Sequence, residues 1–262
     1  MARFALGIEY RGVAYSGWQR QPHADSIQER VEFALSQVAD HAVETVCAGR
    51  TDAGVHALGQ VVHFDTKVER PDKAWVMGVN THLPDDIRVR WVKLVDEDFS
   101  ARFSATARHY WYWINNKAQA SAVFTGASAW HYQQLDAHKM HQAAQYLLGE
   151  QDFSTFRAAQ CQSKTAMRNV IHCRVSRHND LVLVDIKANA FLHHMVRNIV
   201  GSLLLIGEGR EPVEWLASIL EVGDRNLAGP TAPANGLYLF GVDYPQEFPK
   251  AQWPWPFSGS TD

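Results

Sequence analysis

The sequence predicts an α+β fold built as two halves, and three observations lead to this prediction. Several stretches, most clearly residues 3–10 and 87–95, alternate apolar and polar residues as half-buried strands do. Only a few segments carry the periodicity of amphipathic helices. Strands and helices also do not alternate regularly, which favours mainly antiparallel sheets with packed helices over a doubly wound sheet.

The first half is predicted to contain a well-delimited helix. Ser26 is a good N-cap, and Glu29 three residues later completes a capping box ahead of apolar residues on one helical face. Residues 43–48 and 60–65 are predicted strands that flank a polar, glycine-containing loop, and Pro71 opens a further short helix. This half is therefore expected to consist of strands with one or two helices packed on them.

The pattern breaks into small and polar residues around 99–106, which divides the chain into residues 1–104 and 105–262. A Pro- and Trp-rich tail follows the last predicted strand. The elements predicted for the second half are a strand at 108–114, a helix from Leu135 with Asp136 at its N-cap, strands at 169–177 and 181–188 joined as a hairpin through Asn179-Asp180, a helix from Phe191 to Ile206, a helix from Pro212 to Leu220, and a strand at 237–244.

Composition limits the class of protein. An apolar fraction of 46% and a charged fraction of 20% are typical of a soluble globular protein. The most apolar run, residues 199–207, is too short to cross a bilayer. The three cysteines are odd in number and widely spaced, so neither a disulfide framework nor a zinc motif is expected. These features predict a cytoplasmic protein.

The net charge of −3 does not by itself indicate a nucleic-acid-binding protein, since such proteins are usually basic. Binding to RNA would require the basic residues to cluster on one surface. Three groups could form such patches: Arg102, Arg108 and His109; Lys164 and Arg168; and His193, His194 and Arg197.

The most informative segment is residues 48–57, Ala-Gly-Arg-Thr-Asp-Ala-Gly-Val-His-Ala, between two predicted strands. Its small residues would let a flat ligand approach the backbone closely. Asp52 could act there as a nucleophile or base, and the Arg50 cation favours the ionised carboxylate. A tight turn in which Asp52 caps its own backbone is the structural alternative, and composition alone favours it.

Residues 49–57 resemble the signature of the tRNA pseudouridine synthase A family. Further blocks resemble the family in the same order from residue 3 to about residue 244. They are Tyr15-Ser16-Gly17-Trp18-Gln19, Ala101-Arg102-Phe103-Ser104-Ala105, Tyr110-Trp111-Tyr112, Phe153-Ser154-Thr155-Phe156, Gln160-Cys161-Gln162-Ser163-Lys164, and residues 190–201. Ser100 departs from the family, in which a histidine is common at this position.

The resemblance implies a pseudouridine synthase fold of two similar halves, with the active site in the cleft between them. It implies isomerisation of uridine to pseudouridine in the anticodon stem-loop of tRNA, at tRNA positions 38, 39 and 40. No cofactor or metal takes part in that reaction. The family further implies a homodimer.

The resemblance also assigns roles to residues. Asp52 is the expected catalytic carboxylate, whereas Tyr110, Arg50 and Arg197 are expected to bind the substrate nucleotide. Tyr110 could instead be a core aromatic residue of its strand, and Arg197 a solvated helix residue. The residues expected to contact RNA are Arg102, Phe103, Gln160, Cys161, Gln162, Ser163 and Lys164.

Other functions remain as competing hypotheses. An RNA-binding protein without turnover would have no reason to carry Arg50, Asp52 and Tyr110 together. A hydrolase could use Asp52 and His56 as an acid/base pair. Metal binding is disfavoured for two groups of residues: His193 and His194, because neighbours on a helix diverge, and Cys47, His56 and His63, because their spacing is not that of a zinc site.

Overall fold

The computed structural model describes residues 1–251, and the Trp253 and Trp255 positions of the tail lie outside this range. The chain separates into two compact units. Among the described residues, the N-terminal unit is Met1–Thr106 together with 238–251, and the central unit is Ala107–Leu237. No helix of the described chain is long and apolar enough to traverse a bilayer.

The strands of the N-terminal unit are mainly antiparallel. Strand β1 lies between β3 and β4, β2 pairs with β3 as a short hairpin, and β10 joins β3 in parallel. Helices α1 and α2 lie against each other, and α2 also contacts β4. The elements are β1 (Ala2–Tyr10), α1 (Ile27–Ala39), β2 (Val46–Cys47), β3 (His56–Thr66), α2 (Asp72–His82), β4 (Ile87–Val95) and β10 (Leu237–Asp243).

The central unit is built on five mainly antiparallel strands. Its strand order is β6-β5-β9-β8-β7, and only the β5–β6 pair is parallel. Helix α3 contacts both β8 and α4. The elements are β5 (Ala107–Asn116), β6 (Ala129–His131), α3 (Ala137–Ala144), β7 (Gly149–Asp152), β8 (Met167–His178), β9 (Leu181–Ala188), α4 (Met195–Gly207) and α5 (Trp215–Val222).

The predicted α+β class is confirmed, and several local predictions hold. Ser26 caps α1 by accepting the Glu29 N–H at 3.4 Å, and Asp136 caps α3 by accepting two backbone N–H groups. Asn179 adopts a φ of 54° in the turn between β8 and β9. Asx and Ser side chains set such caps and turns locally, which is why they are readable from sequence.

The predicted helix over Phe191–Ile206 is wrong at its start. Helix α4 begins at Met195, because His194 adopts a left-handed φ of 61° and the residues before it form a turn. A residue in this conformation interrupts the helical hydrogen-bond ladder. The predicted helix at Pro212 likewise begins later, at Trp215.

Candidate active site

The loop that connects β2 to β3, residues 48–55, carries Asp52. At the base of the loop, the Ala48 N–H donates to the Val61 carbonyl at 2.8 Å. The Val55 N–H donates to the Asp52 carbonyl at 3.1 Å, and Gly54 takes a φ of 79°. This tight turn leaves the Asp52 side chain half-buried, between a buried Thr51 and an exposed Ala53.

Three contacts from outside the loop fix its first half. The Tyr10 hydroxyl lies 2.7 Å from Thr51 Oγ1, and Gln60 Nε2 donates to the Gly49 carbonyl at 2.7 Å. The Trp18 N–H donates to the Thr51 carbonyl at 3.0 Å. The backbone is therefore held at Gly49 and at Thr51, immediately before Asp52.

The loop also packs against two glycines that no other residue could replace without a shift. A Cβ added at Gly12 would lie 1.9 Å from the Val55 carbonyl oxygen. A Cβ added at Gly17 would lie 2.8 Å from the Thr51 carbonyl oxygen, and Gly17 has a φ of 101° besides. Both the close approach and the positive φ require glycine.

Arg50 is exposed, and within residues 1–251 it forms no hydrogen bond or ion pair. The backbone on either side of it is anchored, so its guanidinium projects from a fixed point of the loop. The expectation that Arg50 acts on the substrate nucleotide therefore does not depend on breaking an existing contact.

His56 and His63 have structural roles in the N-terminal unit. His56 Nδ1 accepts the Gly12 N–H at 3.1 Å, and its ring stacks on Tyr238 at 4.5 Å. His63 Nδ1 accepts the Ala101 N–H at 3.0 Å. Because His56 is only 1% exposed and its ring is committed to this packing, the structure speaks against a hydrolase that uses Asp52 and His56 as its acid/base pair.

Arg102 and Phe103 form an exposed pair on the N-terminal unit. The Arg102 guanidinium carbon lies 5.3 Å from the centre of the Phe103 ring, and Phe103 is 80% exposed. An aromatic ring left in water beside a cation can stack on a base while the cation meets a phosphate. This placement suits the RNA contact expected for both residues.

In the central unit, Tyr110 lies on β5 and is only 8% exposed. Its ring meets Phe191 edge to face, with centroids 5.0 Å apart. Arg197 lies in the first turn of α4, and its Nε donates to the Ala232 carbonyl at 2.8 Å. His193 and His194 precede this helix, with ring centroids 4.0 Å apart, so the divergence expected of helical neighbours does not apply to them.

Arg157 and Arg168 hold the segment 160–164 in place through hydrogen bonds. Arg157 donates to the carbonyls of Cys161 at 2.9 Å and Ser163 at 2.7 Å. Arg168 donates to Ser163 Oγ at 2.6 Å and is 9% exposed, so the expected surface patch of Lys164 and Arg168 is wrong. Gln160, Gln162 and Lys164 are exposed on this support.

Cys161 has a perturbed thiol in that segment. Burial opposes ionisation, but hydrogen bonds from the backbone of His193 and Ser163, together with the nearby Arg157 charge, lower the pKa of Cys161 below its usual value. The His193 N–H donates to Cys161 Sγ at 3.4 Å. The contact ties the segment to the turn before α4.

One cluster of the central unit has metal-ligand chemistry. His109, His172 and Asp185 project their ligand atoms to within 4.8 Å of one another. Both His Nε2 atoms meet the same Asp185 oxygen, at 2.5 and 2.7 Å, which are hydrogen-bond distances. We interpret the cluster as a hydrogen-bonded bridge across β5, β9 and β8.

Comparison with known proteins matches this chain over most of its length. The family model described as tRNA pseudouridine synthase matches residues 7–104 and 143–245. A protein named tRNA pseudouridine synthase A from Aeromonas hydrophila is 60% identical over 252 residues, which cover 96% of this chain and 94% of the relative. Proteins with the same name from Vibrio vulnificus and Glaesserella parasuis are each 59% identical, covering 94% and 96% of this chain and 93% and 96% of theirs.

These matches, on an α+β chain with an anchored aspartate loop, define the class of the protein as an isomerase that modifies RNA. The chain belongs to the tRNA pseudouridine synthase family. Arg50 and Asp52 lie within the first range of the family match, and Arg197 lies within the second.

Proposed function

We propose that this chain isomerises uridine to pseudouridine in the anticodon stem-loop of tRNA, with Asp52 as its catalytic nucleophile or base and without a cofactor. The family and the names of its relatives support the reaction and the substrate. One observation carries the residue assignment. Asp52 is the acidic side chain of a loop that is fixed by side-chain, backbone and glycine contacts yet leaves the carboxylate only half-buried.

The reaction is balanced without a redox partner. The bond between uracil N1 and ribose C1′ breaks, the base turns, and a bond forms between uracil C5 and the same C1′. The C5 proton leaves to water and N1 gains a proton. Asp52 can serve by attacking the sugar, by adding to the base or by removing a sugar proton, and each role requires the ionised carboxylate.

The target uridine is stacked in the RNA and must be extruded before Asp52 can reach it. Unstacking costs roughly a few kcal/mol, which contacts with the protein must offset. Arg50 is suited to making such a contact with the RNA, because its side chain is exposed on an anchored backbone. Tyr110 is proposed to stack on the extruded uracil, and Arg197 to meet a phosphate or the Asp52 charge.

The remaining RNA contacts are proposed to come from two exposed surfaces. One is the Arg102–Phe103 pair, and the other is the segment 160–164 on its arginine support. Phosphate contacts of this kind position RNA without reading its sequence. They would give the affinity for tRNA that a net charge of −3 does not give overall.

We further propose that the protein acts in the cytoplasm as a homodimer. Three free cysteines suit a reducing compartment. Two copies would let a single folded tRNA contact more than one basic surface. Sedimentation of the free protein at micromolar concentration tests this, and a monomer that turns over tRNA at full rate would overturn it.

The central experiment measures tritium released to water from tRNA labelled at uracil C5, since this release accompanies formation of the new carbon–carbon bond. Asp52→Asn keeps the shape of the side chain and removes its charge. We expect label release to fall by more than about a thousandfold, with the Kd for tRNA within a few-fold of the wild-type value.

Asp25→Asn is the matched control, because Asp25 is an exposed aspartate of the same unit that pairs with Arg30 at 2.7 Å. It should release label at the wild-type rate. If Asp52→Asn loses tRNA binding in parallel with turnover, Asp52 has a structural role and the proposal fails. Free uracil among the products would indicate a hydrolase instead.

A further inference from the structure

The loop 48–55 contains few side chains able to hold it in place. Ala48 and Val55 are buried at its two ends, but Gly49, Ala53 and Gly54 are small, so the stretch around Asp52 makes little apolar contact through its own side chains. The direction of the Asp52 carboxylate must then be set by polar contacts from the surrounding strands.

We propose that Tyr10 of β1 and Gln60 of β3 are positioning residues for Asp52. This inference rests on the catalytic role proposed above for that residue. The antiparallel pairing of β1 with β3 brings the two side chains together, and Gln60 Nε2 lies 3.4 Å from the Tyr10 hydroxyl. From there one contact runs to Thr51 Oγ1 and another to the Gly49 carbonyl, both at 2.7 Å.

The burial of the polar side chains of Tyr10 and Gln60 indicates that they do more than pack between strands. Tyr10 is 4% exposed and Gln60 is 0% exposed, at positions where apolar side chains would fill the same space. Within residues 1–251, Gln60 Oε1 has no hydrogen-bond partner. A buried polar atom without a partner destabilises the fold, so a strand that needed only packing would carry an apolar residue here.

The contacts from Tyr10 and Gln60 hold two positions of the loop backbone close to Asp52. Gly49 and Thr51 lie on either side of Arg50, and Asp52 follows directly. Fixing both positions restricts the backbone torsions that aim the Asp52 carboxylate. Loss of an anchor would let the carboxylate sample unproductive directions, which slows the chemical step without removing a contact to RNA.

Tyr10→Phe tests this role by removing only the hydroxyl. We expect the single-turnover rate of label release at saturating tRNA to fall about tenfold or more, with the Kd for tRNA unchanged within about twofold. Tyr15→Phe is the matched control, since Tyr15 is also buried and its hydroxyl donates to Asp86 at 2.6 Å, away from the loop. It should lower the Tm at least as much and leave the rate within about twofold of wild type.

Thr51 provides the second arm of the test. Thr51→Val removes the hydroxyl and should slow turnover as Tyr10→Phe does, whereas Thr51→Ser keeps the hydroxyl and should recover most of the rate. The double variant Tyr10→Phe/Thr51→Val should be no slower than either single variant, because both remove the same contact. Additive losses would overturn the proposal. If Tyr10→Phe does not fold, the Val and Ser variants decide the question.

Gln60→Met removes the other anchor at similar volume and should give the same pattern of slowed turnover with retained binding. A readout independent of catalysis is amide hydrogen exchange in the free protein. Exchange across residues 49–54 should accelerate several-fold in Tyr10→Phe and stay unchanged in Tyr15→Phe.

The exchange measurement separates two kinds of failure. Wild-type protein that releases no label overturns the proposed function while exchange still reports the anchoring. Active wild-type protein with unchanged exchange and rate in Tyr10→Phe overturns the positioning role alone. Equal losses of rate in Tyr10→Phe and Tyr15→Phe would assign Tyr10 a merely structural role.

Discussion

The Asp52 loop and the segment 160–164 both carry residues assigned to the site, but they are held in different ways. The Asp52 loop is fixed at Gly49 by Gln60 and at Thr51 by Tyr10 and Trp18, and Gly12 and Gly17 pack closely against its backbone. The segment 160–164 is held through its backbone carbonyls and one serine hydroxyl, by arginines beneath it.

The difference corresponds to what each loop is proposed to do. A group that takes part in bond-making must be oriented closely, so its loop is fixed from several sides. Side chains that meet a flexible RNA backbone gain from freedom to adjust, and Gln160, Gln162 and Lys164 remain exposed on a supported backbone. Substitutions in the two loops should therefore fail in different ways.

Of the substitutions that compare these two loops, the largest effect is expected at Gly17, which packs against the Asp52 loop. Gly17→Ala places a Cβ 2.8 Å from the Thr51 carbonyl oxygen at a φ of 101°. We expect a loss of about 2–3 kcal/mol in the free energy of unfolding and a single-turnover rate lowered more than about tenfold. Chemical denaturation and label release measure the two effects.

Gly209→Ala is the control for backbone strain alone. Gly209 has a φ of 75° but open space where a Cβ would stand. It should cost about 1 kcal/mol of stability and leave the rate at the wild-type value. Equal effects of the two alanines on the rate would show that contact with Thr51 does not matter.

Contacts between residues close in sequence could be predicted from the sequence, whereas contacts between distant strands could not. The Ser26 cap of α1 and the Asn179 turn are local, so they were predictable. The anchors Tyr10 and Gln60 were missed because they act across sheet pairings, and the only signal is a polar residue on an inward-facing strand position. Arg168 was expected on the surface because an arginine is rarely buried unless it is paired.

An intermediate effect is expected in the segment 160–164. Lys164→Ala should raise the Kd for tRNA about three- to tenfold and reduce the slope of log K against log salt by about 1. The rate at saturating tRNA should stay within about twofold of wild type, in contrast to the Asp52 loop variants. Filter binding at several salt concentrations tests this.

Lys73→Ala is the matched control for that measurement, because Lys73 is an exposed lysine of α2 with no assigned contact to RNA. It should leave both the Kd and the salt slope unchanged. Equal weakening by the two alanines would mean that tRNA senses only the overall charge of the protein, and the segment would lose its proposed role.

The smallest effect on the rate of label release is expected at the bridge of His109, Asp185 and His172, which joins β5, β9 and β8 of the central unit. Burial would raise the pKa of Asp185, but hydrogen bonds from His109 and His172 outweigh it and hold that pKa well below the usual value. A carboxyl group with a lowered folded-state pKa stabilises the fold above its unfolded pKa of about 3.9, and this contribution is lost as the pH falls through the folded-state pKa.

Asp185→Asn should therefore lower the free energy of unfolding by about 1–3 kcal/mol near pH 7, and the difference from wild type should shrink as the pH drops below about 4. Denaturant titrations across that range measure it. The rate of label release near pH 7 should not change, because the bridge fixes neither loop. A difference in stability that stays constant down to pH 3 would mean that the charge of Asp185 contributes nothing and that only its packing matters.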